Sequence, residues 1–280
     1  MKIAISAEST IDLTKELLEK YDIKTLPYSI QLGDLSAFDG EITTDQIIAF
    51  VNEKNVLPKT AAINEFRYTE HFESLLKEYD AVVHFTLSSG LSMACSNAKL
   101  AAKELKNVFV VDSLSLSTGI ALLAIHGREL ANQGLSAKEI FERCSARVPF
   151  VQASFELKRL DYLHKGGRCS ALTLFGANLL KIRPQILVSE GKMILGKKYK
   201  GNFSHVVKNY CEDVLEKYNT PDLSKVFITY TTADDAIIEM VKGFLQERGF
   251  ENILVTRAGA TITSHCGEDT LGILYINDGK

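Results

Sequence analysis

Three serines and a glycine stand together where an apolar run meets a helical pattern. The run "AVVHFTL" enters the stretch "TLSSGLSMAC" (residues 86–95), and "ACSNAKLAAKEL" leaves it. At such a strand–turn–helix junction the first helical N–H groups are unpaired and carry partial positive charge, which suits an anion. Hydroxyls add donors, so the pattern predicts an anion site. Helix capping explains Ser88 and Ser89 about equally well, whereas Ser92 lies past the expected cap and favours binding.

A nucleophilic use of Ser92 is the main alternative. "GLSMA" approximates the G-x-S-x-G elbow of α/β-hydrolases, and Asp112 and His265 follow in the order Ser, Asp, His. An elbow serine directly follows its strand, whereas residues 86–89 intervene here. A serine esterase or thioesterase using Ser92 and His265 therefore remains the second hypothesis.

Two further segments carry residues that suit an acidic ligand. "HKGGRCS" places Arg168 behind two glycines, a pattern that suits carboxylate or phosphate recognition but lacks the Gly-Lys-Ser/Thr of a Walker A loop. Two other interpretations of this segment stay open: Arg168 is an ordinary solvent-exposed loop residue, or the loop belongs to a regulator that binds phosphate or a nucleotide. His265 has no second histidine at ligand spacing, which argues against a metal. Thr60, in "PKTAAINEF", predicts only a turn on its own.

The elements that must position these residues predict two α/β domains. Strand and helix patterns alternate up to residue 148, which predicts parallel βαβ units in an N-terminal domain of residues 1–148. Residues 149–280 predict a second α/β domain with a mixed sheet. It contains a hairpin at Glu190-Gly191 and a strand–helix–strand–strand ending.

Composition excludes several classes of protein. The 280 residues are 46% hydrophobic and 24% charged, with a net charge of -3, which argues against a nucleic-acid partner. No apolar run reaches the ~18 residues of a membrane span, and no signal-peptide pattern opens the chain. Five cysteines without a C-x-x-C pair predict free thiols in a reducing compartment, so we expect a cytoplasmic protein.

Six segments, in chain order, resemble the signatures of the DegV family, the FakB-type fatty-acid-binding proteins of bacteria. "ISAESTIDL" is similar to the opening D-S-x-x-D-L, with Glu8 where aspartate is usual. "FDGEIT", "LSSGLS" and "VVDS" follow the next signatures, and "SHCG" follows the last. "LDYLHKGGRCS", which follows Leu-x-Tyr-Leu-x-Lys-Gly-Gly-Arg, is the most specific match.

The resemblance implies a non-catalytic carrier that holds a long-chain fatty acid, such as palmitate or oleate, in a tunnel between its two domains. It implies that a fatty acid kinase of the dihydroxyacetone-kinase-like type is the partner, with no cofactor and at most transient membrane contact. The carboxylate-binding residues it implies are Thr60, Ser92, His265, Arg168 and Ser89. The apolar segment after Arg168 contains our candidates for the tunnel lining, Leu172, Leu174, Phe175, Leu179 and Leu180, although an ordinary core helix explains it equally well.

The chain departs from the family pattern close to the expected anchors. The departing residues are Ala61, Ile63, Met93, Ala94, Thr263, Glu268 and Asp269. Because they surround the anchors without replacing them, they bear on which acid is bound more than on the fold.

Overall fold

The computed structural model describes residues 1–169 and 183–279. The strands in this part of the chain are β1 (Ile3–Glu8), β2 (Ile23–Leu26), β3 (Ser29–Leu32), β4 (Leu35–Phe38), β5 (Lys59–Ala61), β6 (Ala81–Thr86), β7 (Val108–Asp112), β8 (Val151–Leu157), β9 (Arg183–Ser189), β10 (Lys192–Tyr199), β11 (Val226–Tyr230), β12 (Ile253–Arg257) and β13 (Thr270–Ile276). The helices are α1 (Lys15–Lys20), α2 (Thr44–Lys54), α3 (Glu65–Leu76), α4 (Ala94–Lys103), α5 (Thr118–Asn132), α6 (Ala137–Arg147), α7 (Asp161–Gly166), α8 (Phe203–Lys217), α9 (Asp235–Glu247) and α10 (Ala260–Cys266).

The N-terminal part is built on a parallel sheet of order β2-β1-β6-β7. Every residue of β1 and β6 is buried, as expected for central strands covered by helices on both faces. The predicted parallel βαβ arrangement is therefore confirmed. The long apolar helix α5 contacts β1 and β6 of this sheet and also β8 and β13 of the next, which explains why it is apolar on most of its surface.

The C-terminal part is built on a six-stranded sheet of order β10-β9-β8-β13-β11-β12. Only the pair β11–β12 is parallel among its described pairings, so the sheet is mixed, as predicted. The predicted hairpin is present, and its turn residues Glu190 and Gly191 both have positive φ angles, of 49° and 76°. Two adjacent positive φ angles are typical of a tight type I′ turn.

The predicted strand–strand ending is wrong, because helix α10 lies between β12 and β13 and carries His265. Its sequence, ATITSHC, is rich in β-branched residues and gives no local helix signal. The interpretation of Thr60 as a turn residue is wrong as well. Thr60 lies on β5, where it pairs with Ile30 of β3 in a small antiparallel sheet of order β4-β3-β5. In both cases the stabilising partners are distant in sequence.

The predicted division at residues 148 and 149 falls in a 3₁₀ turn, Val148–Phe150, between α6 and β8; as a domain boundary it stays a prediction. Among the described helices, none is both long and apolar enough to cross a bilayer.

Candidate functional site

A cleft between the two parts of the chain brings most of the predicted site residues together. Its cavity volume, the space that water-sized molecules can enter, is about 40 Å³. Its lining comprises Tyr28, Thr60, Ala62, Leu87, Leu91, Ser92, Leu116, Arg168, Met193, Thr261, Ile262, His265 and Cys266. Four of the five predicted head-group residues, Thr60, Ser92, Arg168 and His265, are therefore present in one cleft.

His265 and Thr60 meet inside this cleft. The Nε2 atom of His265 lies 2.8 Å from Thr60 Oγ1. Its Nδ1 atom is buried, has no hydrogen-bond partner among the described residues, and packs against Gly166. Burial, with a smaller contribution from Arg168, lowers the pKa of His265 to about 4, so the imidazole is neutral at pH 7. The pair offers neutral polar groups to a ligand in the cleft.

Ser92 turns its hydroxyl towards the cleft. Its Oγ accepts hydrogen bonds from the Tyr28 hydroxyl at 3.1 Å and from the Ala94 N–H at 3.2 Å. Because a hydroxyl hydrogen rotates between partners, Ser92 can donate either to a ligand oxygen or to the Tyr28 oxygen. The expectation that Ser92 has no part in capping is wrong: α4 begins two residues later than Ser92, and Ser92 accepts an N–H at its start.

The other two serines of the junction have different partners. Ser88 is buried, donates to the carbonyl oxygen of Gly191 at 2.7 Å and accepts the Gly90 N–H at 3.1 Å. It therefore fastens the β9–β10 turn to the serine loop, and a Cβ at Gly90 would lie 2.5 Å from the same Gly191 oxygen. Ser89 is exposed and lines an outer depression instead of the cleft.

Arg168 stands at the rim. It is exposed, donates to the Gly166 carbonyl oxygen, and lines both the cleft and the outer depression. Gly166 lets this loop approach His265, because a Cβ there would lie 2.7 Å from the imidazole Nδ1. The Gly-Gly-Arg motif thus brings a positive charge to the cleft entrance.

Three polar residues of the site were not predicted. Tyr28 is buried and donates to Ser92. Thr261 lines the cleft with a buried Oγ1 that has no partner in the described part of the chain. Glu8 is fully buried and accepts hydrogen bonds from Tyr68, Leu87 and Thr10, and burial raises its pKa to about 7. The sequence analysis noted Glu8 only as a departure from the usual aspartate. The local sequence around Tyr28 and Thr261 contains no signal for a role in the site.

An apolar pocket adjoins the cleft and reaches residues of the mixed sheet. This second pocket shares Leu116, Ile262 and Cys266 with the first. It extends to Phe155 and Leu274 on β8 and β13. The predicted lining residues Leu172, Leu174, Phe175, Leu179 and Leu180 lie outside the described residues.

The residues of the hydrolase hypothesis are not assembled into a triad. No hydrogen bond joins Ser92 to His265 in the described part of the chain, since their partners are Tyr28 and Thr60. The Asp112 carboxylate accepts the N–H groups of Ser89 in the serine loop and of Leu114 in its own loop. Nor do residues 1–169 and 183–279 bring three histidine, cysteine or acidic side chains close enough together to hold a metal ion.

The parallel sheet, the mixed sheet and the cleft between them define a two-domain α/β protein. The chain belongs to the DegV family: the family model described as "Uncharacterised protein, DegV family" matches residues 2–278. The resemblance inferred from the motifs is therefore confirmed.

Relatives of the chain are described as binding proteins for fatty acids. A fatty acid-binding protein of Thermotoga maritima is 32% identical and is aligned over 97% of this chain and 96% of its own length. A DegV family protein from Thermus thermophilus has a solved structure that is described as showing fatty acid binding. It is 25% identical in sequence to this chain, with a TM-score of 0.89, and the match covers 99% of this chain and 100% of that one. The fatty acid kinase B3 protein of Streptococcus pneumoniae, loaded with linoleic acid, is 22% identical with a TM-score of 0.85 over 99% and 100% of the two chains, which shows a shared fold.

Proposed function

We propose that this protein binds a long-chain fatty acid, with its carboxylate held by Thr60, Ser92, His265 and Arg168. The observation that carries the proposal is that the Ser92 hydroxyl lines the same cleft as the Thr60–His265 pair. Hydroxyl and imidazole groups beside an apolar space suit a molecule with an anionic head and an apolar tail.

The chemistry of the cleft fits both ends of such a ligand. An unpaired buried carboxylate is very costly, and converging hydroxyl and imidazole groups offset that cost, while the positive charge of Arg168 stays at the exposed rim. The tail would follow the apolar space past Leu116 and Ile262 towards Phe155. Burying ~15 methylenes at ~0.8 kcal/mol each offers about 12 kcal/mol, from which ordering and desolvation subtract a large part.

The proposal extends to the partner. A fatty acid kinase of the dihydroxyacetone-kinase-like type would receive the acid and must reach its carboxylate. Arg168 is exposed at the rim, and Met93, also on the outer depression, is 64% exposed. A head group held near this rim is accessible to a partner protein, which supports presentation to a kinase.

The central test uses the matched serines of the loop. Mass spectrometry of denatured extracts should detect a bound long-chain acid, and titration with palmitate and oleate should show weaker binding by Ser92→Ala. Because Ser89 lies outside the cleft, Ser89→Ala should bind as the wild type does. Absence of a co-purified acid together with no binding of either added acid would reject the proposal.

Presentation is tested by measuring acyl-phosphate formation with a cognate kinase beside fatty-acid affinity. Arg168→Ala should reduce turnover more than affinity. Lys165→Ala, an exposed change on neighbouring α7, serves as the control and should alter neither. Unchanged turnover in Arg168→Ala would remove the presenting role while leaving the binding proposal intact.

A further inference from the structure

Five consecutive residues that lead into helix α10 are each held by a side chain from the first 45 residues. Arg257 pairs with Asp45, and Thr44 donates to the Ala258 carbonyl oxygen at 2.5 Å. The Gly259 N–H donates to Asp12 at 2.8 Å, the Ala260 N–H to Asp39 at 3.0 Å, and the Thr261 N–H to Asp39 at 3.4 Å. The start of α10 is thus bound to the N-terminal part of the chain.

Three of these contacts, made by the two aspartates, replace the missing cap of the helix. A helix start leaves N–H groups unpaired, and a serine, threonine, aspartate or asparagine at the N-cap normally accepts one of them. The N-cap of α10 is Gly259, which has no side chain for this task. A Cβ at Gly259 would lie 3.1 Å from carboxylate oxygens of both Asp12 and Asp39. Glycine therefore leaves the space through which the two carboxylates reach the helix.

Both carboxylates are themselves oriented. The Ser117 hydroxyl donates to the second oxygen of Asp12 at 2.5 Å. The Ser9 hydroxyl donates to Asp39 at 3.0 Å. Neither aspartate lines the cleft. Asp12 belongs to the segment "ISAESTIDL" and Asp39 to "FDGEIT", two family motifs that supply no residue to the proposed ligand contacts. Their contact with the cleft is indirect, through α10.

We infer that Asp12 and Asp39 are positioning residues, which cap α10 from the opposite part of the chain and so hold His265 against Thr60. His265 and Cys266 lie near the other end of this seven-residue helix, so a shift at its start reaches them directly. The role in ligand binding rests on the proposed function. The placement of His265 does not, and it is measurable in the ligand-free protein.

The experiment compares full-length Asp39→Ala and Asp39→Asn with Asp45→Ala. The last variant is the matched control, because it removes an exposed contact to the same segment without unpairing a helical N–H. Three readouts apply: the NMR signals of the His265 imidazole, assigned with His265→Gln; the rate of thiol labelling at Cys266, which is buried; and the dissociation constant for oleate.

Asp39→Ala should move the His265 signals, accelerate labelling of Cys266, and weaken oleate binding by about threefold to thirtyfold, the range that loss of a helix cap corresponds to. Asp39→Asn, which keeps one acceptor oxygen, should lie between this variant and the wild type. It also serves as the test if Asp39→Ala does not fold. Asp45→Ala should match the wild type.

Unchanged His265 signals and unchanged Cys266 labelling in both Asp39 variants would overturn the inference. Equal effects of Asp39→Ala and Asp45→Ala would also overturn it, because they would indicate general loosening. A wild-type protein that does not bind oleate would count against the proposed function alone, since the imidazole and thiol readouts would still decide the role of Asp39.

Discussion

His265 Nε2 lies 2.8 Å from Thr60 Oγ1, although 205 residues separate them in the chain. Thr60 lies on β5 of the small sheet, and His265 lies on α10, which packs against β5, α2 and α7. Both residues line the cleft, so their contact joins its N-terminal and C-terminal walls.

Removing the Thr60 hydroxyl should weaken fatty-acid binding. Thr60→Val deprives His265 of its partner, and the expected loss is about 1–3 kcal/mol, the range for a hydrogen bond whose partner is left unsatisfied. Thr60→Ser keeps the hydroxyl and should retain most of the affinity. Isothermal titration with oleate measures both; equal affinities of the two variants would show that the hydroxyl is not used.

Tyr28 should act on binding through Ser92. Tyr28→Phe removes the donor to Ser92 Oγ and should lower affinity by less than Ser92→Ala does, because the Ser92 hydroxyl itself remains. Residues that share one hydrogen bond give non-additive effects. In a double-mutant cycle, Tyr28→Phe should therefore have little further effect on affinity once Ser92 is alanine. If the effects of the two substitutions on affinity are additive, Tyr28 does not act through Ser92.

Gly166 should tolerate no side chain. In Gly166→Ala the new Cβ would lie 2.7 Å from His265 Nδ1, so His265 or the Gly-Gly-Arg loop must move and binding should weaken. Gly243→Ala is the control, since no atom lies within 4 Å of its Cβ position in α9. It should leave binding unchanged and stabilise the protein by about 0.5–1 kcal/mol. Parallel oleate titrations and urea unfolding test both expectations.

Glu8 should make stability depend on pH. Burial raises its pKa from 4.5 to about 7. Because the folded-state pKa is the higher one, the contribution of Glu8 to stability is full below pH 4.5 and is lost as the pH rises through about 7. Glu8→Gln cannot ionise. The free energy of unfolding of the wild type should therefore fall relative to that of the variant between pH 5 and 8, by about 3 kcal/mol at most.

Urea unfolding of the two proteins at several pH values gives this difference directly. Titrating groups common to both proteins, such as His71, whose pKa burial lowers to about 4, cancel in it. A constant difference across the range would mean that Glu8 is ionised throughout in the folded protein.

Local sequence was sufficient to predict those strands and turns whose conformation depends mainly on their own residues. The apolar run "AVVHFTL" predicted the buried strand β6, and Glu190-Gly191 predicted the β9–β10 hairpin. The motifs identified the family and named Thr60, Ser92, Arg168 and His265, which line one cleft. The strand, hairpin and family predictions succeeded because periodicity, turn chemistry and motif spacing are properties of short segments, whereas the carboxylate-binding role of these four residues stays a prediction.

Only the tertiary structure decided which polar groups meet. Among the three serines, packing of the hairpin turn uses the Ser88 hydroxyl and leaves Ser92 to face the cleft. The start of helix α10, in a β-branched segment, bonds to carboxyl groups over 200 residues away, those of Asp12 and Asp39. Glu8 acquires its raised pKa from burial beneath the serine loop. Hydrogen bonding and desolvation depend on neighbours brought together by folding, and no local pattern records them.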